Sequence, residues 1–192
     1  GVNTDAYQPI ERELRLTRHV IEVLHDFGHP FAAITKSSLI ERDIDLLAPM
    51  AARGQVIAAV TITTLDAEIA RTLEPRAATP MRRLRTIREL SAAGIPVGVS
   101  IAPVIPFVTE PDLERVLEAC AQAGATSASY IVLRLPWEVA PLFKDWLAAH
   151  FPQRAERVMA RVHDMRGGKD YDASFGRRMK GEGAWADLLR QR

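Results

Sequence analysis

The feature that most limits what this chain can fold into is a repeated order of segments. A helical stretch closes on glycine, and a short apolar run rich in β-branched residues follows and ends in polar groups or proline. The clearest case is VIAAVTITT over residues 56–64, which follows Gly54 and turns polar only at its threonines. An apolar run of that kind predicts a strand covered on both faces, as in parallel sheets, and not the alternation of a strand with one wet face. The same order predicts strands over 31–35 after Gly28, 95–102 after Gly94 and 129–135 after Gly124. Prolines from Pro103 onward are expected to end the third strand, because proline cannot donate to the ladder.

Helices are expected between these runs. One long amphipathic helix begins near Pro9 and ends at Gly28, others cover 43–52, 81–93 and 111–123, and a short turn of helix covers 66–71. Thr79 is the expected N-cap of the 81–93 helix, with Pro80 as its first residue. Strands joined by helices of this length imply βαβ units with right-handed crossovers. The expected class is α/β, a partial (β/α) barrel with parallel strands. Gly1, Val2, Asn3, Thr4 and Asp5 read as the end of a strand turning into a loop, so the barrel is expected to be incomplete at its amino terminus. After residue 136 only helices are expected, over 141–150 and 153–165, then a glycine- and charge-rich tail to 183 and a short helix from Ala184. The expected division is a barrel over 1–136 and a helical extension over 137–192.

Composition removes several classes. With 47% hydrophobic and 26% charged residues the chain is of globular type. Lys and Arg total 25 against 24 acidic residues, and a net charge of +1 supplies no global field for nucleic acid or an anionic membrane. The longest apolar stretches, near 56–60 and 101–108, fall far short of the roughly 20 residues a spanning helix needs. No charged and apolar leader pattern opens the sequence, and a cytoplasmic protein is expected. The single cysteine, Cys120, excludes a disulfide framework and a cluster held by several thiolates of this chain.

No P-loop, GxGxxG after a strand, HExxH, GxSxG or CxxC occurs. His19, His25, His29, His150 and His163 fall on helices or helix ends and are expected to be surface or capping residues, and Cys120 a small core residue. In parallel α/β folds ligands sit over the carboxyl ends of the strands. The candidates are therefore the polar groups there: Lys36, Ser37, Thr61, Thr63, Thr64, Ser100 and Arg134. Glu74 and Arg76 flank Pro75 in a stiff loop over the same rim, where a charge pair would fix the loop or grip a ligand. Arg82, Arg83, Arg85 and Arg88 are expected to form a solvated basic face. Arg177, Arg178 and Lys180 make a local basic patch in the glycine-rich tail. Two functions remain open from the residues alone: a barrel lyase or aldolase using Lys36 as a desolvated amine nucleophile, and a nucleic-acid-binding fragment relying on the tail.

Several strings together add a resemblance: NTDAYQPIE, TKS at Lys36, TTLD at Asp66, LEPRAATP around Arg76, GIPVGVSIAPVIP, YIVLRLPWEV and MRGGKDYDASFGRRMKGEG. They resemble the radical S-adenosylmethionine enzymes, and within them the bacterial group related to spore photoproduct lyase, a DNA repair enzyme. The likeness covers essentially the whole chain. It implies a partial (β/α)6 barrel whose first strand is followed by a CxxxCxxC loop holding a 4Fe-4S cluster. The open iron chelates S-adenosylmethionine, and electron transfer cleaves it to a 5′-deoxyadenosyl radical. This sequence has no CxxxCxxC. The resemblance therefore implies a fragment that starts near the end of the family's second strand and alone neither binds the cluster nor makes the radical.

Residue by residue, the resemblance places Thr4, Asp5, Tyr7 and Gln8 near the methionyl amino group. It places Lys36, Ser37, Thr61 and Thr63 near the methionyl carboxylate and ribose, and the backbone of Ala102, Pro103 and Val104 along the adenine. Glu74, Arg76, Arg134, Arg166, Lys169 and Arg177 are the substrate or lid candidates. The implied partners are S-adenosylmethionine and an unidentified substrate, nucleic acid among the candidates. No membrane is implied, and an oligomer through the open barrel edge is. The implied activity is lyase-like.

Overall fold

Residues 4–192 are described by a computed structural model, and the strand end expected at Gly1, Val2 and Asn3 lies outside them. Strands β1 (Phe31–Thr35), β2 (Val56–Thr61), β3 (Val97–Val104) and β4 (Ser127–Val132) form one sheet in their sequence order. β1 pairs with β2, and β2 with β3, in parallel, with Thr35 beside Val60 and Thr61 beside Ser100. A strand cannot return parallel to its predecessor without a crossover, and helices fill every gap. α1 (Glu11–Leu14) and α2 (Leu16–Asp26) precede β1, and α3 (Ile44–Ala52) joins β1 to β2. α4 (Ala67–Leu73) and α5 (Pro80–Ala92) join β2 to β3, and α6 (Leu113–Gln122) joins β3 to β4. α7 (Val139–His150), α8 (Ala155–Met165) and α9 (Ala184–Gln191) follow the sheet. The α/β class is thus the observed one, a parallel sheet compatible with a partial (β/α) barrel plus carboxyl-terminal helices. None of the described helices is long and apolar enough to cross a membrane.

The helix caps follow the sequence. Thr79 accepts a hydrogen bond from the Arg82 N–H, with Pro80 first in α5, and Asp66 accepts from the Glu68 and Ile69 N–H groups at the start of α4. Three expectations are corrected. The single helix from Pro9 breaks at Arg15, whose φ of 52° is left-handed. There the buried Glu11 carboxylate takes the Thr17 N–H, a side-chain acceptor competing with the helix's own carbonyls. Neither β1 nor β2 is covered on both faces: both alternate, with Ile34 60% and Ile57 55% exposed, because α3 and α5 pack on the other face of the sheet. β3 runs through Pro103 to Val104. Its registered pairing with β2 ends at Ser100, so no β2 carbonyl is left waiting for the N–H that Pro103 lacks. β4 also starts and ends earlier than the apolar run suggested.

The chain divides into two units, residues 1–101 with 115–129, and residues 102–114 with 130–192. In the first, alternation and register put Ala33, Thr35, Ala58, Val60, Val97 and Val99 on the sheet face that α3 and α5 cover. Ala58 and Val60 are fully buried there, as are Ile87 and Leu90 of α5 and Leu47 and Met50 of α3. The opposite face carries Ile34, Ile57, Ala59 and Gly98 and ends in Thr61 and Ser100. Ile34 and Ile57 stand more than half exposed on it, while Thr61 and Ser100 are buried. A side chain at Gly98 would meet the Ser127 hydroxyl at 2.8 Å and its carbonyl at 3.6 Å, so a larger residue there would have to turn the serine side chain aside. In the second unit Phe143, Leu147, Val158, Val162, Met165 and Leu189 are buried, and Phe143 stacks on Trp146 at 5.6 Å.

Because α5 buries Ile87 completely, Ile87→Ala should cost roughly 2–5 kcal/mol. The exposed Arg88→Ala on the same helix should change stability by less than about 0.5 kcal/mol. Urea midpoints of the two variants check the contrast.

Candidate functional site

The segment after β2 builds the site. Asp66 starts α4, α4 ends at Leu73, and residues 74–79 carry the chain to Thr79, which starts α5. This path brings Glu74 and Arg83 to the carboxyl end of β2. Arg83 is 2% exposed and donates from three nitrogens: Nε to the Ala78 carbonyl at 2.7 Å, Nη1 to the Thr61 carbonyl at 2.8 Å and Nη2 to Glu74 Oε2 at 2.6 Å. Thr63 Oγ1 also donates to Glu74 Oε2, at 3.4 Å. The other carboxylate oxygen, Oε1, is buried and accepts no aligned hydrogen bond, but the Lys36 Nζ stands 3.3 Å from it. Geometry and proximity differ at this contact: it is an ion pair without hydrogen-bond alignment, so the ammonium is held by charge alone. The Lys36 side chain is 39% exposed, against 8% for Glu74. The result is a cation, carboxylate, cation chain from buried Arg83 to a lysine that reaches solvent.

A second carboxylate sets the turn that carries Lys36. Asp5 Oδ1 accepts from Thr35 Oγ1 at 2.6 Å and from the Tyr7 N–H at 2.8 Å, and Oδ2 accepts from the Lys36 N–H at 2.7 Å. Thr35 Oγ1 in turn accepts from the Ser37 N–H, and Ser37 Oγ from the Leu39 N–H. Both hydroxyl oxygens thus accept from local backbone N–H groups. Tyr7 is buried beside Asp43, and its hydroxyl meets no acceptor at hydrogen-bonding geometry although the Asp43 charge acts on it. Burial and then that charge push the Tyr7 phenol well above its ordinary value. Asp43 itself is fully buried and paired with Arg42 and Arg18.

The sequence candidates thus separate. Lys36, Glu74 and Thr63 come together, with Thr61 and Ser100 side by side in the register and buried. Thr4 and Gln8 are exposed, whereas Tyr7 is inside and Asp5 is occupied by the turn. Glu74 does not pair with Arg76, which is exposed; its partners are Lys36 and Arg83. Arg83 is the residue that sequence reasoning missed. The expected solvated face of four arginines fails at this position, and the signal was available in the helix period. Pro80, Arg83, Leu84, Ile87 and Leu90 are spaced as one buried stripe, so Arg83 occupies a core position.

In the second unit Ala102 and Pro103 are half-buried and Val104 is buried at the end of β3. Arg134 is half-buried and Arg166 is 3% exposed, while Lys169 is exposed, and Arg177 ion-pairs with Glu182 and Asp172. Cys120 lies in the core, where burial pushes its thiol up to about 12. Among the described residues no three His, Cys, Asp or Glu side chains come together as a metal-binding group.

The profile of the Radical SAM superfamily matches residues 1–120. An uncharacterized protein of Mycobacterium tuberculosis is 35% identical over 159 residues, covering 82% of this chain and 47% of that protein. An uncharacterized protein of Acidianus two-tailed virus is 34% identical over 113 residues, 56% of this chain and 37% of its own length. One of Methanocaldococcus jannaschii is 26% identical over 155 residues, with 81% and 56% covered. The chain thus spans about half the length of these relatives or less.

Arg83→Met removes the charged partner of the buried Glu74 carboxylate and the donor to the Thr61 and Ala78 carbonyls, and should cost roughly 3–5 kcal/mol by chemical denaturation. A solvated arginine would cost almost nothing. Tyr7 predicts the alkaline limb of stability. A phenol whose folded pKa lies above its unfolded value of about 10 contributes stability that is complete below that pH. The contribution is lost as pH rises from there toward the folded value. Stability of the chain should fall above pH of about 10, and Tyr7→Phe should remove that part of the fall.

Proposed function

The chain belongs to the radical SAM superfamily, and from that premise we propose that it supplies the carboxyl half of a radical S-adenosylmethionine barrel related to spore photoproduct lyase. The observation that carries this is the Lys36, Glu74 and Thr63 cluster at the carboxyl ends of β1 and β2, the place where parallel α/β folds bind ligands. Superfamily membership implies S-adenosylmethionine as a partner and an enzyme of that kind. The lyase-like branch, the barrel over 1–136 with its extension over 137–192, an oligomer through the open barrel edge and a cytoplasmic site of action are parts of the proposal.

The donor set fits the amino acid end of S-adenosylmethionine. The Lys36 ammonium reaches solvent and is held only by charge, so a ligand carboxylate can compete for it. The Glu74 oxygen left unaligned would face an ammonium or hydroxyl group of the same ligand. Arg83 keeps that carboxylate in place, and Asp5 keeps the Lys36 backbone in place. When bound, S-adenosylmethionine supplies the radical chemistry. The 4Fe-4S cluster does not fit the residues of this chain. Three thiolates are required, and the one cysteine is buried with a raised pKa. The cluster ligands of the proposed enzyme therefore belong to polypeptide outside these 192 residues. A lysine that is 39% exposed and ion-paired is not the desolvated amine that the aldolase alternative needs.

A longer polypeptide containing this chain, reconstituted anaerobically with iron and sulfide, should bind a 4Fe-4S cluster and S-adenosylmethionine. Lys36→Met in that protein should weaken S-adenosylmethionine binding by roughly 10- to 100-fold at unchanged iron content, as expected for one charge-assisted hydrogen bond. Absence of a cluster from the longer protein, or an unchanged affinity in the variant, would overturn the proposal.

A further inference from the structure

In the second unit the turn after β3 and the start of α8 bring three guanidinium groups to one phenylalanine. Phe107 is half-buried in a turn that Thr109 ties shut. The Thr109 hydroxyl accepts from the Ile105 N–H at 2.8 Å and donates to the Pro103 carbonyl at 3.3 Å. Phe107 itself holds a φ of 60°, left-handed and uncommon for a bulky residue. Arg157 lies over its ring at 3.9 Å and Arg161 at 5.8 Å, and Arg154 Nη1 donates to its carbonyl at 3.0 Å. Arg154 also lies over the Phe151 ring, at 5.8 Å.

Little of this charge is neutralised within the chain. Among the described residues neither Arg154 nor Arg157 is ion-paired, and Arg161 has Asp164 at the long distance of 3.7 Å. The helix gives no compensation. α8 starts at Ala155, so Arg154 and Arg157 stand at the positive end of its dipole, where acids are the stabilising choice and Glu156 alone supplies one. A ring face and a carbonyl hold the guanidinium groups, and such contacts leave N–H edges for an oxyanion. Side chains fixed in advance lose little freedom when a partner arrives.

The spacing points to the kind of partner. Positions 154, 157 and 161 follow one another by three and four residues, so they share one helical face and extend about 10 Å along its axis. Groups so spread do not converge on a single anion; they match carboxylates repeated at the same interval on another helix. A nucleic acid fits less well. The ring contacts of Phe107 and Phe151 are taken by arginines and Trp146, so no bare ring is offered to a base. Glu110, in the chain just after Phe107, shares the Arg192 cation with Glu114, and two carboxylates on one cation oppose a polyanion crossing the turn. We infer that Arg154, Arg157 and Arg161 form a docking face for an acidic helix of a partner protein.

Fluorescence anisotropy of the 192-residue chain tests this with three labelled probes. The first is an alanine-based helical peptide with glutamates at i, i+3 and i+7, the second has the same composition with its glutamates distributed around the helix, and the third is oligothymidylate. The one-sided peptide should bind most tightly, and less tightly as salt is raised. Arg154→Gln and Arg157→Gln should each weaken it roughly three- to tenfold. Phe107→Leu, which removes the ring beneath Arg157 and keeps every charge, should weaken it as well, whereas Arg88→Gln on the exposed face of α5 should change nothing. Arg154 and Arg157 are exposed, so unchanged thermal midpoints will show that their variants fold. Equal binding of the two peptides identifies charge attraction without a docking face, and tighter binding of oligothymidylate identifies a nucleic-acid surface. Either result overturns the inference, as does absence of peptide binding or unchanged affinity in both arginine variants. None of these substitutions touches Lys36, Glu74 or Thr63, so the outcome is separate from that of the radical enzyme proposal.

Discussion

The buried pair between Arg83 and Glu74 decides the shape of everything that the first unit presents at the carboxyl ends of its strands. Residues 74–79 have no ladder or helix to define them. Arg83 supplies the missing definition by bonding the Ala78 carbonyl at one end of the segment, the Glu74 carboxylate at the other and the Thr61 carbonyl of β2. A buried ion pair is weak evidence for stability, since desolvation takes back much of what the Coulomb term contributes. Its value here is positional. Glu74 is held from one side by a rigid fork, which leaves its second oxygen turned toward Lys36, and the lysine is thereby stationed at the rim without being immobilised.

The parallel order of the strands brings that local arrangement to the end of the sheet where parallel α/β folds bind ligands. With Thr35 beside Val60 and Thr61 beside Ser100, the polar ends of three strands lie along one edge, and the helices that make the crossovers cover only one face. The other face is apolar at Ile34 and Ile57 and turns to hydroxyl groups at Thr61 and Ser100. A ligand with an apolar or aromatic body and a charged head suits such a gradient: the body loses water against the open face while the head meets Lys36. Asp5 contributes by spending itself on the turn. By accepting the Lys36 and Tyr7 N–H groups and the Thr35 hydroxyl, it removes the backbone freedom that would let the lysine drift.

Much of this was legible in the amino acids. Continuous apolar runs after Gly28, Gly54, Gly94 and Gly124 announced the strands, and Thr79-Pro80 announced the start of α5, because glycine and proline act through the backbone and need no tertiary context. The position of Lys36 was legible too, because it directly follows the apolar run that forms β1. What stayed hidden depended on long-range partners. Arg15 breaks the first helix because Glu11 captures the Thr17 N–H. Tyr7, read as a ligand contact, is drawn into the core beside Asp43. Arg83 was concealed by its neighbours, since a run of arginines suggests solvent while the period of α5 places that one position in the core.

The two units hold their most buried guanidinium groups, Arg83 and Arg166, in different ways. In the first, Arg18, Arg42, Arg82 and Arg83 are each matched to a carboxylate, so their charge is consumed in holding the fold. In the second, Arg134 and Arg166 are anchored through a phenol, a thioether and backbone carbonyls, contacts that orient a guanidinium but do not neutralise it. Orientation of this kind offsets the desolvation of a guanidinium through hydrogen bonds and not through a directly paired carboxylate.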